Sequence, residues 1–592
     1  MCAARVWVCR ATKLSKKLTL VHEQIASSVR AYLRATKLSK KLALVHEQIS
    51  SDRTYLTRVN ARERNVRYGE HEDYELAPQR IHLLGDNGPM KKHIDIAKGH
   101  LVVAMVKGRE ARINFLSPVL QILVGVTAFL SSLVAADRLF HFYVALYWRF
   151  SKKRPEEAFE ANSLPDLATC PEAFPKVVVQ IPMFNEKEVC EQVIDSCCNL
   201  IWPRSRLYIQ ILDDSTCPIT RSRVVKKVAE KVALGIHVED RWRSNRQGYK
   251  AGAMMEAEKA IGDYEFTAIF DADFSPEAEF LLKTIPYLID NPRAAFVQTR
   301  WVFANADESV LTRVQEISLN YHLKCEQYAR FATGNFFNFN GTAGVWRLSA
   351  IKDAGGWNNR TTVEDMDLSL RAYIRGWKFI FLNDVTCVNE IPSTYAAFRH
   401  QQHRWSCGPM QLWRKAMDQV WESEIPLVQK IYLNCFFFGT RLFATHIVSF
   451  VFYCTLVPIC VVAPEVTIPF WALVYVPILV TFSTVAFTPR SWLYAVPFVL
   501  FENAMSIVKF SAMVSGILGL STAHSWVVTQ KLGNWVQTDA ATAKTGLAKY
   551  LGKAGAIPHS LSLPVISESL VKQGAADKAQ PKKFKSSWFN RM

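Results

Sequence analysis

The apolar stretch from Phe115 to Ala136 carries no charged residue and limits the possible folds of this chain more than any other feature. A run of about 20 apolar residues can cross the hydrocarbon core of a bilayer as a helix. The stretch begins far from the N-terminus, so it is not placed like a secretory signal peptide. Three further apolar runs, at about 436–463, 466–487 and 491–520, are broken by prolines and one arginine. They predict a C-terminal membrane bundle of roughly three to five spans.

The composition indicates that these membrane segments are joined to a water-soluble domain. Hydrophobic residues make up 49% of the 592 residues, and the mean hydropathy is +0.03. A wholly soluble protein is normally more polar than this, and a pure transporter is far more apolar. The length exceeds that of a usual single domain, which also predicts two or more units.

The net charge of +18 is concentrated at the two ends of the chain. Residues 1–60 are rich in Lys and Arg, and a second basic run lies at 578–585. Basic segments that flank apolar spans favour contact with anionic membrane lipid over contact with nucleic acid. We therefore expect membrane lipid as a partner and no nucleic acid.

The thirteen cysteines are scattered and form neither a CxxC pair nor a metal-binding spacing. Cys197 and Cys198 are adjacent in the chain, and adjacent cysteines rarely bridge. This usage predicts reduced thiols in a cytosolic domain.

Residues 10–25 and 34–49 are two copies of one segment that differ only at Thr19 and Ala43. Apolar residues at helical spacing, with basic residues between them, could form a helix on a membrane surface. The alternative is a recent duplication or an artefact of the gene model. Two copies are too few for a solenoid, which needs about three repeats.

Between residues 176 and 301, predicted strands alternate with predicted helices. Strands are expected at 177–181, 208–212, 266–270 and 294–301, and a helix is expected from Gly248 to Ile261. Ser275 and Pro276 predict the N-cap and the first turn of a further helix over roughly 276–290. This alternation is typical of an α/β fold with a parallel, doubly wound sheet, which binds ligands at the carboxyl ends of its strands.

The sequence predicts seven regions along the chain. They are a basic N-terminal region at 1–112, a transmembrane or interfacial segment at 113–150, a linker at 151–175, the α/β domain at 176–395, interface helices at 396–435, the C-terminal membrane bundle at 436–530 and a basic tail at 531–592. The tail is rich in Ala, Gly, Ser and Lys, so we expect it to be disordered.

Asp271 and Asp273 follow a predicted strand and are separated by one residue. The alternation of a strand would point both carboxylates to the same side. Two hard oxygen donors suit Mg²⁺ or Mn²⁺, with diphosphate oxygens and water completing the coordination shell. The same motif also fits the nucleophile of haloacid-dehalogenase-type phosphohydrolases, or a turn without chemical function. The motif alone does not decide among these three interpretations.

Asp213 and Asp214 end the preceding long strand and favour a nucleotide-sugar site. A glycosyltransferase needs a carboxylate here to hold the base and ribose of its donor, whereas a dehalogenase-type site has its second acidic pair downstream. The competing interpretation is a pair of turn carboxylates. Lys250, at the start of a predicted helix, could bind a phosphate or remain solvated.

Glu364 and Asp365 lie in a segment with two competing interpretations. Thr361 with Glu364, and Thr362 with Asp365, have the spacing of a helix capping box. In the functional alternative, Asp365 is the general base that deprotonates an acceptor hydroxyl, and Glu364 and Asp214 are grouped with it as catalytic candidates. One base without a carboxylate nucleophile implies direct displacement with inversion, which turns an α-linked donor into a β-linkage.

Gln401, Arg404 and Trp405 share one face of a predicted helix, at positions i, i+3 and i+4. An indole ring can stack on a sugar, and Gln or Arg can bind a diphosphate or a hydroxyl. The alternative is a basic amphipathic helix at the membrane interface. Both interpretations can hold together, because such a helix would place an acceptor at the mouth of a channel.

These motifs, in this order, resemble those of the processive family 2 glycosyltransferases, which include cellulose, chitin and hyaluronan synthases. Longer strings are similar to the cellulose synthase-like A and C groups of plants and green algae, the β-1,4-mannan synthases and the xyloglucan-backbone glucan synthases. Such strings include GYKAGA at 248–253, FNGTAGVWR at 339–347, QQHRWSCGP at 401–409 and WVVTQKLG at 526–533. The resemblance covers about residues 175–535. Cys217 departs from the usual DDSTD or DDSND of the family.

The resemblance implies a GT-A fold, with a Rossmann-like, mostly parallel sheet, joined to an α-helical transmembrane bundle. It implies a multi-pass Golgi membrane enzyme that elongates a β-1,4-linked hexose polysaccharide with inversion. The first candidate product is mannan or glucomannan from GDP-mannose, and the alternative is β-1,4-glucan from UDP-glucose. A phosphohydrolase and a non-catalytic membrane protein are the remaining hypotheses.

Site roles follow from the resemblance at matching positions. Asp213 and Asp214 would hold the nucleoside, Asp271 and Asp273 would hold Mg²⁺ or Mn²⁺ with the diphosphate, and Asp365 would be the base. Gln401, Arg404 and Trp405 would hold the acceptor end and the diphosphate. The partners would be the nucleotide sugar and a growing β-1,4-glycan, and a homo-oligomer is compatible with the sequence.

Overall fold

The structure is a computed structural model that describes residues 89–520 except residues 163, 166, 168 and 169. The duplicated segments, the string at 526–533, the basic run at 578–585 and the rest of the tail lie outside the described residues. The chain divides into two compact units, Met1–Asn114 and Phe115–Met592. The first unit contains helix α1, Pro89–Ala111.

The second unit contains an α/β sheet. Its strands are β1 Val177–Met183, β2 Leu207–Asp213, β3 Val238–Asp240, β4 Phe266–Ile269, β5 Phe274–Pro276, β6 Ala294–Phe303, β7 Gly344–Arg347 and β8 Lys378–Asn389. Their order across the sheet is β3-β2-β1-β4-β7-β6-β8-β5. The pairs β3–β2, β2–β1, β1–β4 and β6–β8 are parallel, and β7 is antiparallel to both β4 and β6.

Helices cover both the sheet and the membrane-side part of the second unit. They are α2 Ser117–Phe150, α3 Cys190–Cys198, α4 Pro218–Ala233, α5 Tyr249–Glu258, α6 Phe280–Asp290, α7 Val310–Tyr321, α8 Tyr328–Ala332, α9 Leu348–Asp353, α10 Glu364–Ile374, α11 Tyr395–Glu422, α12 Leu427–Ile431, α13 Thr445–Ile447, α14 Val457–Val461, α15 Val476–Val485 and α16 Ala495–Leu518. π-Helical turns at His322–Gln327, Tyr432–Ala444 and Val448–Leu456 join several of them.

Strands β1 and β2 consist almost entirely of apolar residues, as expected for strands in a sheet whose two faces are both covered. Every residue of both strands is buried. The polar residues among them form a bonded row: the Gln180 amide donates to the Gln210 side-chain oxygen at 2.9 Å, and the Thr267 hydroxyl donates to the Gln180 oxygen at 3.0 Å. The sheet interior thus keeps polar side chains without leaving the Gln180 side chain unpaired.

The sheet is mostly parallel, as expected, with β7 antiparallel to β4 and β6 and β5 antiparallel to β8. One local prediction differs from the structure. The predicted N-cap at Ser275 and first helical turn at Pro276 are wrong. Residues Phe274–Pro276 instead form β5, which pairs with β8, and the helix begins at Phe280. Pairing with a strand more than 100 residues away overrides the local capping preference.

Packing around Phe296 connects β6, β7 and β8. The Phe296 ring stacks on Phe379 with centroids 4.3 Å apart, and it lies 4.7 Å from the Trp346 ring. Phe296 is fully buried, so replacing it with Ala would cost about 3–5 kcal/mol of unfolding free energy. This aromatic centre holds the antiparallel β7 between the two parallel parts of the sheet.

Three described helical runs are long and apolar enough to cross a membrane: Val102–Phe150, Leu427–Val461 and Pro489–Leu518, with a shorter apolar helix at Trp471–Val485. Large apolar side chains on these runs are exposed, among them Phe150 at 77% and Val461 at 78%. Exposed apolar surface on this scale is typical of contact with lipid. The chain is therefore a membrane protein.

Candidate active site

One cavity of about 380 Å³ contains nine of the ten residues that the sequence singled out. These nine are Asp214, Lys250, Asp271, Asp273, Glu364, Asp365, Gln401, Arg404 and Trp405. A larger cavity of about 1180 Å³ lies at the opposite ends of β6 and β8 and contains none of the ten. Although it is larger, the second cavity contains no candidate site residue and is not the candidate active site. The first cavity is called the cleft below.

Asp213 is the tenth residue, and the structure does not bring it to the cleft wall. Its side chain is fully buried, one oxygen accepts the Ser215 backbone N–H at 2.8 Å, and the other accepts from Arg221 at 2.8 Å. Successive residues at a strand end face opposite ways, so Asp213 faces Arg221 while Asp214 faces the cleft. The geometry makes Asp213 a support for the end of β2 rather than a direct contact with a ligand.

Asp214 reaches the cleft as half of a bidentate ion pair with Arg243. The Nε–H and Nη2–H groups of Arg243 donate to the two carboxylate oxygens at 2.8 and 2.6 Å. The side chains of both residues are nearly buried. A carboxylate held in this fork has a fixed orientation, so Asp214 can receive a ribose or base donor without rearranging.

Lys250 connects the acidic motif to the loop before β7. Its ammonium group donates to an Asp271 carboxylate oxygen at 2.5 Å and to the Gly341 carbonyl at 2.8 Å. Burial opposes the charge of Lys250, but the carboxylates of Asp271, Glu364 and Asp365 outweigh it and raise the lysine pKa. The lysine is therefore positively charged inside the cleft, where a diphosphate could bind it.

Asp271 and Asp273 lie in a turn rather than on a strand. Strand β4 ends before them, at Ile269, and β5 begins after them, at Phe274. The predicted reason for their common orientation is thus wrong, although both side chains do line the cleft. The turn is closed by a bond from the Phe274 N–H to the Asp271 carbonyl at 2.9 Å. The Thr342 hydroxyl accepts the Asp271 N–H at 2.9 Å.

The two carboxylates fit a divalent cation that also binds substrate oxygens. Within the part of the chain that the structure describes, no group of three or more His, Cys, Asp or Glu side chains could hold a metal ion. Asp271 and Asp273 are hard oxygen donors, which suit Mg²⁺ or Mn²⁺. A cation bound by only two protein carboxylates needs further ligands, and diphosphate oxygens and water are the ligands that Mg²⁺ commonly takes.

Glu364 and Asp365 form an acidic pair at the centre of the cleft. Burial, followed by the charge of Asp365, raises the pKa of Glu364 to about 7. Burial raises the pKa of Asp365 to about 6, against the lowering effect of the Met366 N–H and of Lys250 and Arg404. A carboxylate with a pKa near neutrality can accept a proton from a hydroxyl and release it again.

The capping interpretation of this segment is wrong. Helix α10 begins at Glu364, its N-cap is Val363, and no side chain makes a capping bond there. The Thr362 hydroxyl instead donates to the Gln411 side chain at 3.4 Å, and the Thr361 hydroxyl is buried without a bonded partner. Glu364 and Asp365 therefore occupy the first turn of the helix, where the Met366 N–H donates to one Asp365 carboxylate oxygen at 2.8 Å, and both residues line the cleft.

Helix α11 contributes Gln401, Arg404 and Trp405 to the lining of the cleft. It can approach the acidic pair because Gly408 has no side chain: a Cβ there would lie 2.5 Å from a Val363 methyl and 2.9 Å from the Thr362 hydroxyl. On its other side, Gly516 of α16 packs against the Cys407 carbonyl of α11. Two glycines thus fix α11 between the acidic pair and a membrane helix.

The cleft continues from the acidic pair to the candidate membrane spans. Its lining includes Arg441 and Leu442 of one span and Phe501 and Glu502 of another. The structure therefore joins, in one cavity, Asp214 after β2, the acidic pair and residues of two candidate membrane spans.

Sequence reasoning did not find several residues of this cleft. Arg243 binds Asp214 but does not line the cleft. Phe184, Glu186 and Arg246 are part of the lining. The Arg246 guanidinium lies 3.5 Å from the centre of the Phe184 ring. A signal for Arg243 was available, because it is a basic residue shortly before the Gly248–Lys250 turn, but nothing local marks Phe184.

A family model for glycosyl transferase family group 2 matches residues 266–488. This match, the α/β sheet with its ligand site at the strand ends, and the membrane spans define a GT-A glycosyltransferase of that group. The chain is 43% identical over 449 residues to glucomannan 4-β-mannosyltransferase 1 of Oryza sativa, covering 75% of this chain and 86% of that protein. It is 44% identical over 420 residues to glucomannan 4-β-mannosyltransferase 1 of Cyamopsis tetragonoloba, covering 70% and 80%.

This chain belongs to the family of the glucomannan 4-β-mannosyltransferases. The phosphohydrolase interpretation of Asp271 and the non-enzyme hypothesis are therefore not retained. Among solved structures, a mannosyltransferase from Pyrobaculum calidifontis in complex with GDP-Man and Mn²⁺ is similar, with a TM-score of 0.45 and 17% identity. The match covers 67% of this chain and all of that one.

Proposed function

We propose that this protein is an inverting, processive β-1,4-mannosyltransferase that makes mannan or glucomannan from GDP-mannose. The observation that carries the proposal is the position of the Glu364–Asp365 pair, in one cavity with Asp214, Lys250 and Trp405. The names of the relatives support mannose as the transferred sugar. β-1,4-Glucan synthesis from UDP-glucose is the alternative, and no observation favours it over mannan.

The donor would bind between the end of β2 and the Asp271–Asp273 turn. Asp214 would accept hydrogen bonds from the nucleoside, and Lys250 would face the diphosphate. Asp271 and Asp273 would hold Mg²⁺ or Mn²⁺, which would neutralise charge on the departing nucleoside diphosphate. Because Lys250 already bridges Asp271 and Gly341, the cleft has positive charge in place before the donor arrives.

Asp365 would act as the general base. It would accept the proton of the acceptor hydroxyl as that oxygen attacks the anomeric carbon from the face opposite the diphosphate. Attack from that face inverts the anomeric centre and converts the α-linked donor into a β-linked product. Burial raises the pKa of both Glu364 and Asp365, so the pair together would take up a proton as the pH falls.

The acceptor would lie against α11. Trp405 would stack on its terminal sugar, and Gln401 and Arg404 would bind its hydroxyls or the diphosphate. The cleft continues to Phe501 and Glu502 in a candidate span, so the growing chain could leave toward the membrane after each addition. We place the enzyme in the Golgi membrane as a multi-pass protein, on its family membership and the three apolar helical runs.

The test is the incorporation of labelled sugar by membranes that contain the full chain, with Mg²⁺ or Mn²⁺. GDP-mannose and UDP-glucose are supplied separately and together, and membranes with Asp365→Asn serve as the control. Mannanase-sensitive polymer from GDP-mannose, absent in the control, is the expected result. Glucanase-sensitive polymer from UDP-glucose alone would transfer the assignment to glucan synthesis. Polymer from neither donor would overturn the proposal.

A further inference from the structure

We infer that Arg243 is a positioning residue that couples the nucleoside end of the cleft to its diphosphate end. The inference deepens the proposed function and rests on it. Arg243 does not line the cleft itself. It lies directly behind two groups that do, Asp214 and the segment that leads to Lys250.

The Arg243 guanidinium donates four hydrogen bonds and also lies near one further carboxylate. Nε and Nη2 donate to Asp214 at 2.8 and 2.6 Å, and Nη2 also donates to the Tyr249 carbonyl at 3.0 Å. Nη1 donates to the Gln247 carbonyl at 3.2 Å and lies 3.7 Å from the Glu256 carboxylate. A guanidinium has five N–H donors in a fixed plane, whereas a lysine has three on a single atom. Lysine therefore cannot reproduce this set of bonds.

The segment that Arg243 holds has an unfavourable backbone conformation. Arg246 has a φ of 43° and Tyr249 a φ of 50°, on either side of Gly248 at 70°. Residues with side chains rarely adopt positive φ, and they keep it only where the surrounding structure enforces it. The bonds from Arg243 to the Gln247 and Tyr249 carbonyls supply that enforcement, and the next residue is Lys250.

Gly252 shows how closely this arrangement is packed. A Cβ at Gly252 would overlap the Gln247 carbonyl and lie 3.1 Å from Nη1 of Arg243. One guanidinium thus fixes Asp214 on one side and the start of α5 on the other. When Arg243 is lost, Asp214 and Lys250 should lose their relative positions together, which would weaken donor binding more than the chemical step.

The same pattern of bonds occurs away from the cleft and provides a matched control. Arg371 donates to the Asp367 carboxylate at 3.1 Å and to the Ala354 and Gly356 carbonyls. It too is a mostly buried arginine that holds one carboxylate and two carbonyls of a glycine-containing turn. Its partners do not line the cleft.

The experiment uses the full chain in lipid nanodiscs and compares Arg243→Lys with Arg371→Lys. The dissociation constant for GDP, the KM and kcat for GDP-mannose and the thermal midpoint are measured for each. We expect Arg243→Lys to raise both the dissociation constant and KM about tenfold or more, with a smaller change in kcat. Arg371→Lys should lower the thermal midpoint and leave the GDP affinity unchanged.

Arg243→Ala provides a second readout, because added methylguanidinium can occupy the space that the side chain leaves. Recovery of GDP affinity with methylguanidinium, but not with methylammonium, is the expected result. If Arg243→Lys changes only the thermal midpoint, as Arg371→Lys does, and no rescue occurs, Arg243 is merely structural and the inference is overturned. Failure of the wild-type chain to bind GDP would instead overturn the proposed function, and the inference with it.

Discussion

The Lys250 ammonium group lies 2.5 Å from a carboxylate oxygen of Asp271. The acidic turn that would hold a metal ion is therefore already partly neutralised by the protein. The lysine also donates to the Gly341 carbonyl, so it connects the strand end of β4 with the loop before β7. This bridge would hold the diphosphate side of the cleft in place.

Replacing Lys250 with Met should reduce sugar transfer by roughly 100-fold, or about 3 kcal/mol in the barrier. The substitution leaves the Asp271 carboxylate without its counter-charge and removes a cation that a diphosphate would contact. Initial rates of polymer formation from GDP-mannose would measure the effect. Lys259→Met is the matched control, because Lys259 is exposed just after the same helix. Equal rates for the two variants would exclude this role for Lys250.

Asp365→Asn should abolish transfer while GDP binding stays within about twofold of the wild-type value. An amide cannot accept the proton of the acceptor hydroxyl, but it has almost the same shape as the carboxylate. Isothermal titration of GDP and polymer assays on one preparation would compare the two properties. Polymer formation by Asp365→Asn at more than a few per cent of the wild-type rate would remove Asp365 as the base.

Because of the acidic pair, activity and stability should change in opposite directions as the pH changes. Transfer needs Asp365 deprotonated, so the rate should fall on acidification through about pH 6–7, where the raised pKa values of the pair lie. Both pKa values are raised by folding, so the native state binds protons more tightly than the unfolded chain. The contribution of the pair to the unfolding free energy is therefore greatest at low pH and decreases as the pH rises through about 4 to 7.

Thermal midpoints and transfer rates measured over this pH range would test whether activity and stability change in opposite directions. The variant with both Glu364→Gln and Asp365→Asn should show a flatter dependence of its midpoint on pH than the wild type. An unchanged slope would mean that the pair does not titrate in the range that its burial implies.

Gly408→Ala should reduce transfer by about tenfold or more without weakening GDP binding. The added Cβ would lie 2.5 Å from a Val363 methyl, so α11 would have to move away from the acidic pair and carry Trp405 with it. A displacement of the acceptor by a fraction of an ångström lowers the rate of a positioned reaction. Gly125→Ala, at a helical position with no atom within 4 Å of the new Cβ, should be close to wild type. A Gly408→Ala enzyme with wild-type kcat would show that this contact does not position α11.

Removal of divalent cations should stop polymer formation. We expect EDTA to abolish transfer and Mg²⁺ or Mn²⁺ to restore it, and Asp273→Asn should need more cation for half-maximal rate than the wild type. Asp263→Asn is a suitable control, since Asp263 is exposed and pairs with Lys176 at the surface. Full activity in EDTA would contradict the role given to Asp271 and Asp273.

Several site residues could be predicted from the sequence because their motifs lie where strands or helices end. The runs at 177–181 and 208–212 predict buried strands, and Asp214, just after the second of them, is thereby placed at the ligand edge of the sheet. The positions of Lys250, Asp365 and Trp405 follow from the family resemblance together with this edge. Their meeting in one cavity accords with that expectation.

Other features depended on contacts between residues distant in the sequence. Ser275 and Pro276 have the local character of a helix start but pair with β8 as a strand. Thr361 and Thr362 have capping spacing yet do not cap α10. Asp213 and Asp214 are equivalent in the sequence, but Arg221 holds one in the interior and Arg243 holds the other at the cleft.

The membrane segments, the α/β alternation and the acidic motifs could be read from the sequence, because they depend on runs and spacings within short windows. Long-range packing sets which carboxylates face the cleft, how far the pKa values of the Glu364–Asp365 pair are raised, and how closely α11 approaches that pair. Those properties depend on burial and on charges brought together from residues far apart in the chain, such as Lys250, Gly341 and Gly408. No local window of sequence contains that information.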